Sequence, residues 1–337
     1  MTMSMPEVSI EDIERLYLFQ KWAVPVVVAF GLPLNLLSFY LFWRTKLRKA
    51  SSSRYMAAIA MADSGFLCSK MLTHLPVFEV PIYHIHGSCQ IIMYLNHVST
   101  FLSIWFLAAL VIEKSIGLCW PRKKSYFCTV FRAKCVIAAL TVLSIVCYHY
   151  ITWTIGPSPD KLYCVPWPDE NLLQPFEKLT RMDAFLVAVI PLTTILILSC
   201  LISVKTCIYY SRSNSPEQEQ FVRRQRTCLP QEKEFRTTPS LLCVAFTTVL
   251  LDVPNSIIRV FFIMHPIYNP VASFLQFITY SIKTEIYLLS SSQFRLEVWH
   301  LMARIARFCR IIEPQNDTQN VSQQTDNGGE IIVEGKV

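Results

Sequence analysis

The chain has 337 residues, 53% of them hydrophobic and 16% charged, with 31 lysines and arginines against 24 acids. A soluble domain carries about a quarter charged residues, so this composition speaks against an ordinary soluble enzyme or binding module. The net charge of +7 is split among short segments between apolar runs, which argues against a nucleic-acid footprint.

Residues 1–21 carry Glu7, Glu11, Asp12 and Glu14 and lack an apolar core, so no cleavable signal peptide is expected. They are read as an extracellular N-terminal segment, with the first apolar run serving as its own insertion signal. A helix needs roughly 20 apolar residues to cross the hydrocarbon core. Seven runs qualify: about 22–43, 55–78, 89–119, 134–155, 183–210, 239–264 and 268–292. The last is the weakest, because Lys283 and Glu285 interrupt it. The segments after runs 1, 3 and 5 are rich in lysine and arginine, with Arg223, Arg224 and Arg226 clustered in the last of them. The positive-inside rule then places the N-terminus outside and these segments inside.

Most of the 12 cysteines lie within apolar runs, where cysteine acts as a small hydrophobe. Cys89 opens run 3 on the outer side, and Cys164 lies in the outer loop after run 4. The outer face is oxidising, so this pair is expected to bridge. His84 and His86, two apart, give one weak zinc candidate. No metal centre, cofactor or catalytic constellation is expected, since P-loop, nucleophile-elbow and HExxH patterns are missing. Residues 294–310 space Phe294, Val298, Met302, Ile305 and Cys309 at helical intervals, predicting an amphipathic helix on the inner membrane surface. Cys309 is either palmitoylated or a plain thiol. Residues 311–337 are polar, without apolar period, and are read as a disordered cytoplasmic tail. The fold class is an all-α membrane protein: a seven-transmembrane helix bundle over 22–293 with a C-terminal amphipathic surface helix.

Several residues at fixed spacing resemble the rhodopsin-like (family A) G-protein-coupled receptors. "GLPLNLL" supplies Asn35 in span 1 and "AIAMAD" supplies Asp63 in span 2. Cys89 matches the span 3 cysteine, and Glu113-Lys114-Ser115 stands where the family has Asp/Glu-Arg-Tyr. Pro121, Pro191 and Pro254 match family prolines, and Phe294-Arg295 matches the start of its surface helix. Other positions depart. The family's span 6 tryptophan is Asp252, its span 4 tryptophan is Thr141 and its span 5 tyrosine is Ser199. Its span 7 Asn-Pro-x-x-Tyr motif falls on Lys283-Thr284-Glu285-Ile286-Tyr287, where only Tyr287 survives. "DVPNSIIR" is also similar to invertebrate FMRFamide/myosuppressin-type neuropeptide receptors.

The resemblance implies roles residue by residue. Lys114 takes the place of the arginine that docks on a heterotrimeric G protein. Glu113 precedes it, and Glu234 stands where an acid would pair with it. Arg223 and Arg224, on the third inner loop, either touch the G protein or acidic lipids or serve only the orientation rule. Arginine's planar fork is lost while the charge is kept. The alternative is a border lysine that snorkels to lipid headgroups. The resemblance sets Asp63, Ser103 and Lys283 around the family's bound sodium ion. Lys283 would put an ammonium there, pairing with Asp63 and with Asp252 one helix away. The alternative is that Lys283 faces a water-filled cavity. Asn96 replaces the amine receptors' aspartate and Phe277 replaces the opsins' lysine, disfavouring both ligand classes. Lys70, Tyr94, Asn96, His97, Trp167, Arg259 and Tyr280 remain near the outer ends, suited to the backbone, carboxylate or amide end of a peptide. Arg259 has a second reading, a rim ion pair with Glu79 or Asp183.

The expected function is therefore a plasma-membrane receptor that binds an extracellular ligand, a neuropeptide, and activates a heterotrimeric G protein. The rival is a non-signalling seven-span decoy, scavenger or membrane chaperone.

Overall fold

The computed structural model describes residues 10–166, 178–179, 182–213, 230–261 and 268–312. Trp167, Arg223 and Arg224, and the side chains of Glu234, Arg259 and Cys309, lie outside the described residues. Two compact units divide the chain, Met1–Ser291 and Ser292–Val337.

The first unit is built from long helices: α1 (Ile10–Arg44), α2 (Ser51–His74), α3 (Ser88–Cys119), α5 (Val130–Tyr148), α7 (Ile190–Ser213), α8 (Pro230–Phe261) and α9 (Tyr268–Ser290). Short helices α4 (Pro121–Phe127) and α6 (Ile151–Thr154) flank α5, and a π-helical turn, Phe185–Val189, precedes α7. By length and composition, five helical stretches among the described residues suit a membrane span: Glu14–Arg44, Ser88–Cys119, Val130–Thr154, Met182–Ser211 and Thr237–Ile258. Helices α2 and α9 fall short of that criterion because they carry polar side chains. Two of them, Asp63 and Lys283, are buried inside the bundle, where each offsets the other's desolvation.

Helix α1 begins well before the first apolar run, and its 35 residues reach about 52 Å, more than the roughly 30 Å hydrocarbon core. Glu11 and Asp12 occupy its first turn, where the helix dipole favours acids, and Arg15 reaches back to Glu11 at 2.5 Å. Charge marked this stretch as lying outside the membrane; it did not stop the helix.

Helices α1, α2 and α9 share an apolar core of Val28, Phe66, Leu67, Phe277 and Tyr280, with Phe66 and Tyr280 stacked at 3.8 Å between ring centroids. Asn35 ties α1 to α9. Its amide donates to the Tyr280 carbonyl at 2.9 Å, and its Oδ1 accepts from the Thr284 hydroxyl at 3.0 Å. Gly31 permits this approach: a Cβ there would stand 2.2 Å from Ser281 Oγ and 2.8 Å from Ser281 Cβ. Gly31→Ala should therefore destabilise the protein by about 1–3 kcal/mol through overpacking. Thermal unfolding checks this, and an unchanged midpoint would mean that Ser281 simply turns aside.

The π-helical turn has a local cause. Pro191 has no N–H to give the carbonyl five residues earlier, that of Leu186. The Trp105 indole of α3 donates to that carbonyl at 3.0 Å, so the defect becomes a cross-link between the third and fifth spans.

Two strands absent from the sequence reading form a hairpin after α6. Strand β1 (Ile155–Pro157) pairs antiparallel with β2 (Cys164–Pro166), with Pro157 opposite Cys164. In its loop the Ser158 hydroxyl donates to Asp160 at 2.5 Å, which holds that carboxyl below its ordinary range. Cys164 is disulfide-bonded to Cys89 at the start of α3, with 5.7 Å between their Cα atoms, inside the usual range for a bridge. The hairpin is thereby pinned to the end of α3.

The second unit holds α10 (Ser292–Ile312). Leu296, Trp299, Met302 and Ile305 are exposed large apolar side chains on it, with Arg304 and Arg307 also exposed.

Candidate functional site

Polar side chains gather at three levels of the bundle. Toward the disulfide end, a cavity of about 150 Å³ opens between α2, α3, α5, the fifth span, α8 and α9. Lys70, Asn96 and His97 line it, together with Tyr148, Asp183, Asn255 and Gln276. Of the last four, the sequence reading weighed only Asp183, and that as a rim partner for Arg259 rather than as a cavity wall. The lining is ordered by internal hydrogen bonds. Asn96 donates to Ser69 Oγ at 3.0 Å, and Asn255 donates to Gln276 Oε1 at 2.7 Å. The Tyr148 hydroxyl donates to Asp183, and His97 contacts the Met93 carbonyl at 2.8 Å. Lys70, on α2, lies 5.7 Å from the centroid of the Phe66 ring. Lys70 and Ser273 also line a second cavity of about 160 Å³, bounded by Gln20, His74 and Pro270. The lining thus offers one cation, one anion and several amides, a set that fits a ligand with carbonyl, amide and charged groups.

Two of the outer candidates sit elsewhere. The Tyr94 hydroxyl donates to the Ile145 carbonyl of α5 at 3.1 Å, and Tyr94 does not line the cavity. Tyr280 is buried in the core against Phe66, below the cavity lining. Position along a span suggested the ligand level for both; rotation about the helix axis turned them away.

The middle level is a buried polar triangle. Lys283 Nζ donates to Asp63 Oδ1 at 3.0 Å and to Ser103 Oγ at 2.6 Å, and the Ser103 hydroxyl donates to the same Asp63 oxygen at 2.5 Å. The Lys283 and Asp63 side chains are 4% and 0% exposed. The ammonium also lies 4.7 Å from the Tyr280 ring centroid. Three spans, α2, α3 and α9, therefore meet on one ion pair. No ion pair joins Lys283 to Asp252 among the described residues. Asp252 is buried on α8, and its Oδ1 has no hydrogen-bond partner among the described residues. One ammonium forms one short ion pair here, and Asp63 holds it.

At the far end, Lys114 is only 5% exposed and donates to the Thr237 hydroxyl of α8 at 3.1 Å. Its neighbour Glu113 accepts from the Ser51 hydroxyl of α2 at 2.7 Å. Adjacent residues on α3 thus tie it to α2 on one side and to α8 on the other. Burial at this level is unlike a side chain extended to lipid headgroups. Neither Thr237 nor Ser51 stood out in the sequence, since hydroxyl residues are frequent near span ends and carry no spacing signal.

The family described as 7 transmembrane receptor (rhodopsin family) matches residues 34–289, about three quarters of the chain. The thyrotropin-releasing hormone receptors of mouse, chicken and human are each 28% identical to it over 116 residues. Those stretches cover 34% of this chain and 29% of each relative, so the chain spans under a third of the length of the curated receptors that it matches.

Proposed function

We propose, from the premise that this chain belongs to the rhodopsin family of seven-transmembrane receptors, that it is a plasma-membrane receptor which binds an extracellular peptide and activates a heterotrimeric G protein. The observation that carries this reading is the vertical arrangement of the three levels. A cavity suited to a ligand lies at one end, a tie between α3 and α8 at the other, and the Lys283–Asp63 pair between them. The disulfide-bonded end is the extracellular one in this reading, as oxidising surroundings and the basic opposite loops both require. The partial relatives are receptors for thyrotropin-releasing hormone, and an extracellular messenger of that general kind is carried over to this chain as part of the proposal.

A peptide suits the lining because Asn255 spends one amide N–H on the Gln276 carbonyl oxygen. That leaves a carbonyl and an amino group to match a peptide or terminal amide. Ligand binding would favour the bundle state in which the Lys114–Thr237 tie is open. Glu113, Lys114 and, from sequence, Glu234, Arg223 and Arg224 would then face the G protein. The terminal helix with Cys309 would rest on the inner leaflet.

The test is a G-protein dissociation assay in cells expressing the receptor, screened with short amidated peptides. The reading expects at least one to act, and Asn255→Leu to weaken it about tenfold or more at equal surface expression. Peptides that bind the cells without dissociating any G protein would support the second reading, a non-signalling seven-span decoy. The observation favouring that rival is Lys283 itself, which fixes three spans with a buried ion pair.

A further inference from the structure

Helix α2 starts just after a short 3₁₀ turn, Lys46–Lys49. The chain there reads Arg48-Lys49-Ala50-Ser51-Ser52-Ser53-Arg54. Arg48 and Lys49 are exposed, and Ala50 is extended, with φ −86° and ψ 140°. Ser51 thus has an arginine three residues before it, a lysine two before it and an extended residue next to it. A kinase with an acidic substrate groove selects that charge pattern. The same spacing recurs from Arg122 to Ser125, but Ser125 lies within helix α4 and not after an extended residue.

The Ser51 hydroxyl also holds two helices together. It donates to Glu113 Oε1 of α3 at 2.7 Å, and the Cys128 carbonyl lies 3.4 Å from it. A phosphate on that oxygen carries about −1.5 to −2 charges at neutral pH and keeps no proton to give the carboxylate. Repulsion would then open the tie between α2 and α3. Arg54, three residues on and on the same side of α2, offers the phosphate a partner. Its guanidinium lies 5.1 Å from the Trp43 ring centroid, and its Nε is buried without a hydrogen-bond partner among the described residues. Guanidinium and phosphate make strong, charge-assisted hydrogen bonds.

We propose that Ser51 is a phosphorylation site for a basophilic serine kinase, and that its phosphate releases Glu113 and uncouples α2 from α3 at this end. In the transfer, Ser51 Oγ bonds to the γ-phosphorus of ATP. The bond from that phosphorus to the β,γ-bridging oxygen breaks, ADP leaves, and the hydroxyl proton passes to a base of the kinase. The hydroxyl must leave Glu113 before it can react, so the kinase takes the state in which the tie is open. The site rests on the proposed orientation, which puts this loop on the ATP side of the membrane. It depends on neither the ligand nor the G protein.

The test incubates the full chain, purified in detergent so that both faces are reached, with ATP and the catalytic subunit of cyclic-AMP-dependent protein kinase. Peptide masses locate the phosphate. The expected result is phosphate on Ser51, with an initial rate severalfold higher in Glu113→Ala and about tenfold lower in Arg48→Gln. Should Glu113→Ala not fold, the exposed Arg48 carries the rate comparison. Amide hydrogen exchange at the inner ends of α2 and α3 is expected to quicken severalfold in the phosphorylated chain. Phosphate absent from Ser51, or confined to Ser125, would overturn the site. A rate indifferent to Glu113→Ala, or exchange unchanged by the phosphate, would overturn the competition with Glu113. Labelling of Ser51 in detergent, and on intact cells when kinase and ATP are supplied outside, would support the site and overturn the orientation instead.

Discussion

Lys283→Met is expected to lower the unfolding midpoint on the order of 10 °C, and Asp63→Asn/Lys283→Met to recover most of that loss. The single substitution strands the Asp63 carboxylate, which is 0% exposed and keeps only the Ser103 hydroxyl as a donor of those seen with the lysine present. Removing one partner of a buried ion pair costs about 3–5 kcal/mol, whereas replacing both by neutral groups is often close to neutral. For a chain of this size each kcal/mol moves the midpoint by roughly 2–4 °C. Lys283 also packs beside the Tyr280 ring, and methionine keeps most of that apolar stem, so the cycle isolates the charge. Two singles that each lose little would mean that water reaches the pair. A double variant as damaged as the lysine single would mean that shape, rather than charge, holds the three spans.

The second large effect is at Lys114. Its hydrogen bond to Thr237 joins α3 to α8 at the far end, and a hydrogen bond to a charged group contributes about 1.5–3 kcal/mol. Thr237→Val removes that hydroxyl and should raise ligand-independent nucleotide exchange by about tenfold, the shift expected from roughly 1.4 kcal/mol. Lys114→Arg should raise the maximal exchange severalfold, because the guanidinium offers a planar fork of donors where the ammonium offers a point charge. Lys114→Met should abolish exchange while the receptor still reaches the surface. Basal exchange left unchanged by Thr237→Val would show that this contact does not restrain the bundle.

The sequence was most informative where a signal is local. Helix α3 spans Ser88–Cys119, within a residue of the run read at 89–119, because Gly87 and Trp120-Pro121 bracket it. The Cys89–Cys164 bridge followed from their placement on one side of the membrane. Period-based reading missed β1 and β2, whose three residues each are too few to show alternation. It also started α1 too late, since the acidic stretch before residue 22 was read as lying before the span, when only the membrane, and not the helix, begins there. Lys283 and Asp63, aligned through a borrowed register, do lie 3.0 Å apart; Asp252, aligned the same way, makes no ion pair with Lys283. Span order can place residues at one level but cannot say which neighbour a single flexible lysine reaches. Tyr94 shows the same limit, since its rotation about α3 depends on how α5 packs there. Tyr148, Asn255 and Gln276 went unnoticed, and Asp183 was weighed only as a rim partner for Arg259, because cavity walls are assembled from separate helices. Gln276 lies seven residues before Lys283, two helical turns along the same face, and that spacing was the signal available.

Under the proposed function this bundle is a signalling receptor, and the Lys283–Asp63 pair, by fixing α2, α3 and α9, would hold it in its resting state. The most direct measurement is nucleotide exchange by purified heterotrimeric G proteins of each principal class, reconstituted in vesicles with the wild type or with Asp63→Asn/Lys283→Met. The account predicts exchange above receptor-free vesicles for at least one class, and higher for the double variant than for the wild type. Exchange equal to receptor-free vesicles for both proteins with every class would contradict it.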